Sequence, residues 1–300
     1  MLALGHDATG TMMLWAFDGV NGWRSLQAIP DATAMTRDGD EVIIARGTAL
    51  EIRSIDDPLT TKSTVELKWK GAAPPGSIGA IDRLRGGTVA ISLNSCGSGG
   101  PQDLLCSHDV TGYALVQADG SATFVGLLGM GTAVPLVAWL DDQRLLVVVN
   151  QMAQSGGGSA IVASAMIYDV KTRKLTDARL GEPGCFALSA DRQTIVTERP
   201  SSNPPLYESS VSELGSHGKS TPILSEEAGG IESVALDPTG SRLLAVEAVR
   251  NANDDVVGRQ QQVFEKTASG WALVATSPMP FVGEDPVAQR LVWLPDPLRL

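Results

Sequence analysis

Val234-Ala235-Leu236-Asp237-Pro238-Thr239-Gly240-Ser241-Arg242-Leu243-Leu244-Ala245-Val246 is an apolar strand, a tight polar turn and a second apolar strand. Pro238 and Gly240 supply the backbone angles a tight turn needs, and Asp237 supplies a side-chain acceptor for its amides. The flanking runs are apolar throughout, as strands covered on both faces are. Looser copies of this phrase recur along the chain. One core position in each copy gives Met35, Ile81, Trp139, Leu188, Leu236 and Trp293, spaced 46, 58, 49, 48 and 57 residues apart. The turns of the other copies are 37–40, 83–87, 141–143, 190–193 and 295–297, all rich in Asp, Gly, Pro or Arg. A Leu-rich or β-branched strand follows five of the six turns.

Each unit continues with a second, more polar and alternating hairpin, which marks strands with one wet face. The pairs expected are 49–53 with 65–69, 113–116 with 123–125, 166–170 with Leu175, 206–211 with 222–224, and 262–264 with 271–274. The sixth unit is split. The C-terminus, Leu291–Leu300, supplies its first strand and begins its second, and the N-terminus resumes with Leu2-Ala3-Leu4 and the hairpin 12–17 with 23–26. If the ends were joined, Trp293 would precede Met35 by 42 residues, close to the other spacings. Repeats of this period predict an all-β, six-bladed β-propeller of four-stranded antiparallel blades. One domain spans 1–300, and the ring closes by pairing the N- and C-terminal strands in one blade. Seven blades is the competing count.

The 236–245 phrase resembles the Ser-Pro-Asp-Gly turn of the WD40 and TolB-like propeller-repeat group, and Ile167-Tyr168-Asp169-Val170-Lys171-Thr172 resembles a WD-type blade ending. The resemblance covers essentially the whole chain, although no blade carries the Gly-His and Trp-Asp pair of WD40 repeats. It implies a scaffold of a kind that binds proteins, peptides, sugars or small molecules and sometimes hydrolyses esters. The fold does not choose among these.

A chain of 300 residues buries roughly 75% of its unfolded surface, enough for an ample core. The net charge of −11 argues against nucleic acid and anionic membranes, which select basic surfaces. No apolar run is long enough to span a bilayer. Met1-Leu2-Ala3-Leu4-Gly5 lacks the basic segment and apolar stretch of a signal peptide. Cys96 and Cys106 share a Gly-rich segment, whereas Cys185 stands apart. The pair is either a stapling disulfide or two free thiols. A disulfide would place the chain in an oxidising, extracytoplasmic compartment, periplasmic or secreted, with the cytoplasm as the alternative. The expected state is a monomer.

The long connections fall between second and third strands (94–110, 150–160, 199–205 and 250–259) and between blades at 277–289. In propeller order all of these leave from one face, and elaborated loops on a rigid scaffold are where function concentrates. The candidate ligand-binding residues on that face are His6, Arg46, Asn94, Asn150, Glu198, Glu247, Asp254 and Asp255. Acidic residues outnumber basic ones in these loops. Glu232, Asn94, Asn150 and Glu198 are candidate donors for Ca²⁺, a hard cation that takes carboxylate and amide oxygens.

Signatures of covalent or phosphate chemistry are missing. The three His have no G-x-S-x-G elbow beside them. Ser155-Gly156-Gly157-Gly158-Ser159 opens no helix and lacks a following Lys-Ser/Thr, so it is a loop and not a phosphate cradle. The expectation is therefore a non-enzymatic recognition or scaffold propeller, without cofactor, that binds a protein or small polar ligand. A Ca²⁺-dependent lactonase or esterase is the alternative.

Overall fold

The structure, a computed structural model, describes residues 1–17, 22–71, 77–94, 111–126, 137–155, 158–180, 185–200, 209–214, 220–224, 231–253, 255–280 and 291–293. Every regular element among them is a β-strand. Two compact units divide the chain, Met1–Ala32 with Pro183–Leu300, and Thr33–Glu182.

The first unit holds three four-stranded sheets. One orders β25 (Leu291–Val292), β1 (Leu2–His6), β2 (Met12–Phe17) and β3 (Trp23–Ala28). Here the termini share a sheet as expected, with Leu2 opposite Val292 and Ala3 opposite Leu291. The second contains β17 (Cys185–Leu188), β18 (Ile195–Pro200), β19 (Ser209–Leu214) and β20 (Ser220–Leu224). The third contains β21 (Ile231–Leu236), β22 (Arg242–Arg250), β23 (Val256–Thr267) and β24 (Gly270–Met279).

The second unit holds β4 (Ala32–Asp38), β5 (Glu41–Arg46), β6 (Ala49–Ser54) and β7 (Thr61–Glu66) in one sheet, and β13 (Val137–Trp139), β14 (Arg144–Ser155), β15 (Gly158–Asp169) and β16 (Lys174–Asp177) in another. Between them in sequence lies a sheet of five strands. It contains β9 (Ser77–Arg83), β10 (Val89–Asn94), β11 (Thr111–Val116) and β12 (Ser121–Phe124), with β8 (Lys68–Trp69) laid parallel on the outer edge of β12. Six uniform four-stranded blades were expected. Five sheets match that description and one departs from it, and there is no seventh sheet among the described residues.

The apolar phrases became the cores between neighbouring sheets. Ile43 and Leu50 pack with Ile81 and Ile91, and Val196 packs with Leu236, Leu243 and Phe264. Second strands are the most deeply buried, with Val42 to Ala45 and Leu243 to Val246 all at 0% exposure. Each Val, Leu or Ile side chain among them contributes roughly 1.5–3 kcal/mol of burial. Polar bonds register one sheet on the next. The Trp139 indole donates to the Thr88 carbonyl (2.9 Å), Trp271 to Glu213 (2.8 Å), Trp293 to the Ala235 carbonyl (3.0 Å) and Trp23 to Gln261 (3.1 Å). Tyr113, deep in the core, donates its hydroxyl to the Val148 carbonyl and accepts from the Val148 amide. Its burial pushes the hydroxyl pKa well above the ordinary phenol value.

Three expectations need correction. The fourth strand of the first full blade is Thr61–Glu66 and not 65–69, because residues 68–69 cross to the next sheet as β8. The third strand expected at 206–211 runs Ser209–Leu214. Of the connections expected to be loops, 95–110, 201–205 and 281–289 lie outside the described residues, and strand enters the described parts of the others. β14 and β15 pair without a break from Arg144↔Asp169 to Ser155↔Gly158, so 150–160 is a continued hairpin. Likewise β18 reaches Pro200, β22 reaches Arg250 and β24 runs through Ser277 to Met279.

Candidate recognition surface

Lengthened hairpins change the setting of the candidate residues. His6, Arg46 and Asn94 end their strands, as expected of polar groups meeting water. Asn150, Glu198 and Glu247 do not. They lie inside β14, β18 and β22, because the apolar phrase hands over to a polar but still paired extension. The side chains of Asn94, Asn150 and Glu198 fall outside the described residues, as do Asp254, Cys96 and Cys106 entirely.

The best-defined polar assembly is on the β22–β23 hairpin. Its register places Glu247 opposite Gln260. Strand alternation then sends residues 260 and 262 to one face and 259 and 261 to the other. On the first face the Glu247 carboxylate, 8% exposed, accepts from the Gln260 amide at 2.7 Å and the Gln262 amide at 2.8 Å. Neutral donors thus hold a largely buried carboxylate, with Gln262 as the diagonal neighbour across the strands. On the other face Arg259, 4% exposed, grips Glu232 with its Nε (2.5 Å) and Nη2 (3.2 Å). Gln261, 1% exposed, donates to the Ser277 hydroxyl (2.7 Å) and accepts from Trp23. The hairpin is therefore bolted to its own sheet and to the sheet holding β3.

The tip is closed by side chains. The Asp255 amide and the Asn253 amide both donate to the Asn251 Oδ1, and the Asn251 amide side chain donates to the Asp255 carboxylate. Beside it Val249, Val256 and Val257 are exposed, Val257 by 62%. The tip thus offers the Asp255 carboxylate with exposed valines on both faces of β23.

Other candidates are committed elsewhere. Arg46 donates to Glu51 (2.9 Å), whose other oxygen accepts from the buried Arg53 (2.7 Å), while Arg53 also reaches the Pro58 carbonyl (2.8 Å). Burial alone would raise the Glu51 pKa, but hydrogen bonds from Arg53 and Arg46 outweigh it and leave it lowered. His6 precedes Asp7, whose carboxylate caps a turn by accepting from the Thr9 and Thr11 amides. Of the four donors considered for Ca²⁺, Glu232 is engaged by Arg259. Among the described residues no cluster of three His, Cys, Asp or Glu is arranged to hold a metal ion.

Sequence reasoning missed Gln260 to Gln262, Arg53 and Glu51. The glutamine run was visible, but its role depends on a register of β22 against β23 that no local signal specifies.

No helix among the described residues is long and apolar enough to cross a membrane. No protein-family model matches the chain, and no curated protein does. Solved structures do match. Similar folds are TolB from Acinetobacter baumannii (TM-score 0.59, 12% identity, 93% of this chain and 63% of that one) and a putative TolB from Agrobacterium tumefaciens (TM-score 0.55, 12% identity, 92% and 90%). Kuenenia stuttgartiensis hydrazine synthase also matches (TM-score 0.50, 12% identity, 85% and 69%). The chain thus spans less than two thirds of the Acinetobacter chain's length. With sheets of four antiparallel strands and these likenesses, the fold is an all-β propeller, similar to those of the two TolB structures.

Proposed function

We propose that the chain is a single six-bladed propeller acting as a non-enzymatic recognition or scaffold domain in an extracytoplasmic compartment. Its partner is a protein or small polar ligand held on the side where second and third strands are joined. The observation that carries this is the projecting β22–β23 hairpin. Strands β22 and β23 have nine and twelve residues against six in β21. The extension carries an exposed tip beyond a buried base at Glu247, Ala248, Arg259 and Gln261, and surface this elaborated concentrates binding.

The chemistry on the hairpin suits recognition more than turnover. Glu247 is clasped by two amides and Glu232 by a guanidinium. Such groups orient one another and stiffen the arm. The exposed tip, with Asp255 and Val249, Val256 and Val257, provides a charged and an apolar contact close together. Acidic loops favour a cationic or hydrogen-bond-donating partner.

The test is affinity capture from an extract of the source cells, comparing the wild-type chain with Asp254→Lys/Asp255→Lys. A partner that is retained by wild type and lost at least ~10-fold in the double variant supports the reading; rim charges act mainly through association rate. Retention unchanged by the charge reversal removes the hairpin tip from the binding surface. Intact mass without reductant tests the compartment, since a Cys96–Cys106 bond lowers the mass by two hydrogens.

A further inference from the structure

Protein interiors pack at crystal density and leave few voids larger than a water molecule. The core between the sheet of β4 to β7 and the sheet of β9 to β12 departs from this at one end. A slot of about 80 Å³ lies there, walled by Ile43, Leu50 and Val65 from one sheet and by Val89 and Val116 from the other. All five belong to one apolar cluster or pack against it. The mouth is at the turns joining β9 to β10 and β11 to β12, where Gly86, Gly87, Gln117 and Ala118 are exposed. Gly86 takes φ +69°, a region that favours glycine, so this turn supplies no side chain to plug the gap. Both turns lie at the opposite end of the sheet from the connection between β10 and β11.

Two polar residues border the slot. Arg83, its side chain 9% exposed, donates from Nε to Asp38 (2.8 Å) and from Nη2 to Glu41. Its charge is therefore already met by two carboxylates. Gln117 accepts the Thr88 hydroxyl at its Oε1 (3.3 Å), and its amide nitrogen is a donor at the mouth.

We propose that this slot binds a small, neutral, branched aliphatic molecule carrying one acceptor oxygen, seated carbon end first with the oxygen at Gln117. Size selects the skeleton. The volume exceeds the roughly 30 Å³ share of one water and falls short of the roughly 150 Å³ cavity that holds benzene. A short branched chain fits that space, and an aromatic ring does not. Charge selects the head group. An anion would meet Asp38 and Glu41 beside the single cation. An ammonium would shed its water against aliphatic walls while both nearby carboxylates are held by Arg83. A neutral oxygen needs only a donor, which the Gln117 amide supplies. Apolar walls with a few placed polar groups are the usual make-up of a small-molecule site.

Methyl NMR of the full chain labelled at Ile, Leu and Val decides it, with isobutanol, isobutyrate and isobutylamine as probes of similar skeleton and different charge. Isobutanol is expected to shift the methyls of Ile43, Leu50, Val65, Val89 and Val116 saturably, with a Kd of about 10 mM or tighter, within the ceiling for a ligand of this size. The two charged probes are expected to bind at least ~10-fold more weakly, because each must be desolvated without a free counter-charge. Val65→Phe fills the slot from its half-buried wall, and Ala118→Trp blocks the exposed mouth without touching the core. Each is expected to weaken isobutanol binding at least ~10-fold. Matching circular dichroism and melting curves show that both variants fold. Shifts that rise without saturating, or that saturate equally for all three probes, overturn the proposal. So does binding that both variants leave unchanged. None of these readouts involves the β22–β23 hairpin, so the slot is tested apart from the recognition surface.

Discussion

One residue, Asp237, explains why the opening phrase turns where it does. Its Oδ1 accepts from the Ser241 amide (2.7 Å) and the Arg242 amide (2.9 Å), its Oδ2 from the Thr239 hydroxyl (2.7 Å), and Gly240 takes φ +70°. The same device recurs. Asp169 accepts from the Lys171 and Thr172 amides, Asp191 from Gln193, Asp141 from Gln143 and Arg144, and Asp119 from Ser121. Asp237→Ala should therefore cost about 1–2 kcal/mol, seen as a lower urea midpoint, because several amides lose one acceptor. The caps also predict acid sensitivity. Hydrogen bonds from the Ser189 hydroxyl and the Gln193 amide hold Asp191 below its ordinary 3.8, and the Thr172 amide and side chain do so for Asp169. Asp7, beside Thr9 and Thr11, and Asp119, beside Ser121, are lowered likewise. A carboxylate lowered in the folded state contributes stability that is fully present above its unfolded pKa and is lost as pH falls through the folded one. Urea midpoints should be flat in this respect above about pH 5 and fall below about pH 4. Asp169→Asn, which keeps an acceptor but cannot titrate, should make that fall shallower.

Among elements, the turn-flanked inner strands were legible because burial on both faces forces unbroken apolar runs, as at 243–246 and 145–149. The outer strands were not. β7 reads Thr-Lys-Ser-Thr-Val-Glu, with Val65 as its one apolar residue. Hydrophobic periodicity is blind to a strand that is nearly all wet. The eye is drawn instead to Val65, Leu67 and Trp69, and so runs into β8. What sends β8 across to β12 is backbone bonding, with the Lys68 amide donating to the Gly120 carbonyl (2.8 Å) and Lys70 to Ala122 (3.0 Å). Gly120 permits this approach. Its φ is +84°, and a Cβ there would lie 2.1 Å from the Glu66 carbonyl oxygen. Gly120→Ala should therefore destabilise by about 2–4 kcal/mol, combining a disfavoured φ with a backbone clash, and calorimetry reads it directly. The hairpin extensions were hidden for a related reason. Ser155 to Ser159 looks like a linker by composition, yet Ser155 pairs with Gly158 at the end of a twelve-residue ladder. Indole locks between sheets should also be measurable. Trp23→Phe keeps the ring but leaves Gln261, 1% exposed, without its donor. The expected loss is about 1–2 kcal/mol.

At the scale of the whole molecule, the split sixth repeat was the most informative reading. It places Leu291 and Val292 beside β1, and the structure pairs them with Ala3 and Leu2. Ending the chain at residue 290 removes β25, the partner of Leu2 and Ala3, and with it Leu291 and Trp293, which pack on the cluster of Met1, Ala3 and Trp15. The melting temperature should drop by at least several degrees, as expected from losing about 3 kcal/mol or more of core. The proposed recognition surface follows from the sequence only as a side of each sheet, because the roles of single residues there depend on cross-strand register and much of the set lies beyond the described residues. A recognition role also predicts that protein purified without chelator carries less than ~0.1 equivalent of Ca²⁺ by elemental analysis, since carboxylates engaged by arginine and amides make poor sites for a hard cation. The most direct test of the recognition surface is hydrogen exchange of the chain with and without its captured partner. Protection is expected over Ala248 to Gly258 at the end of the β22–β23 hairpin, with the turns at 237–240 and 268–269 unchanged. Protection confined to those turns, with the hairpin tip exchanging freely in the complex, would contradict it.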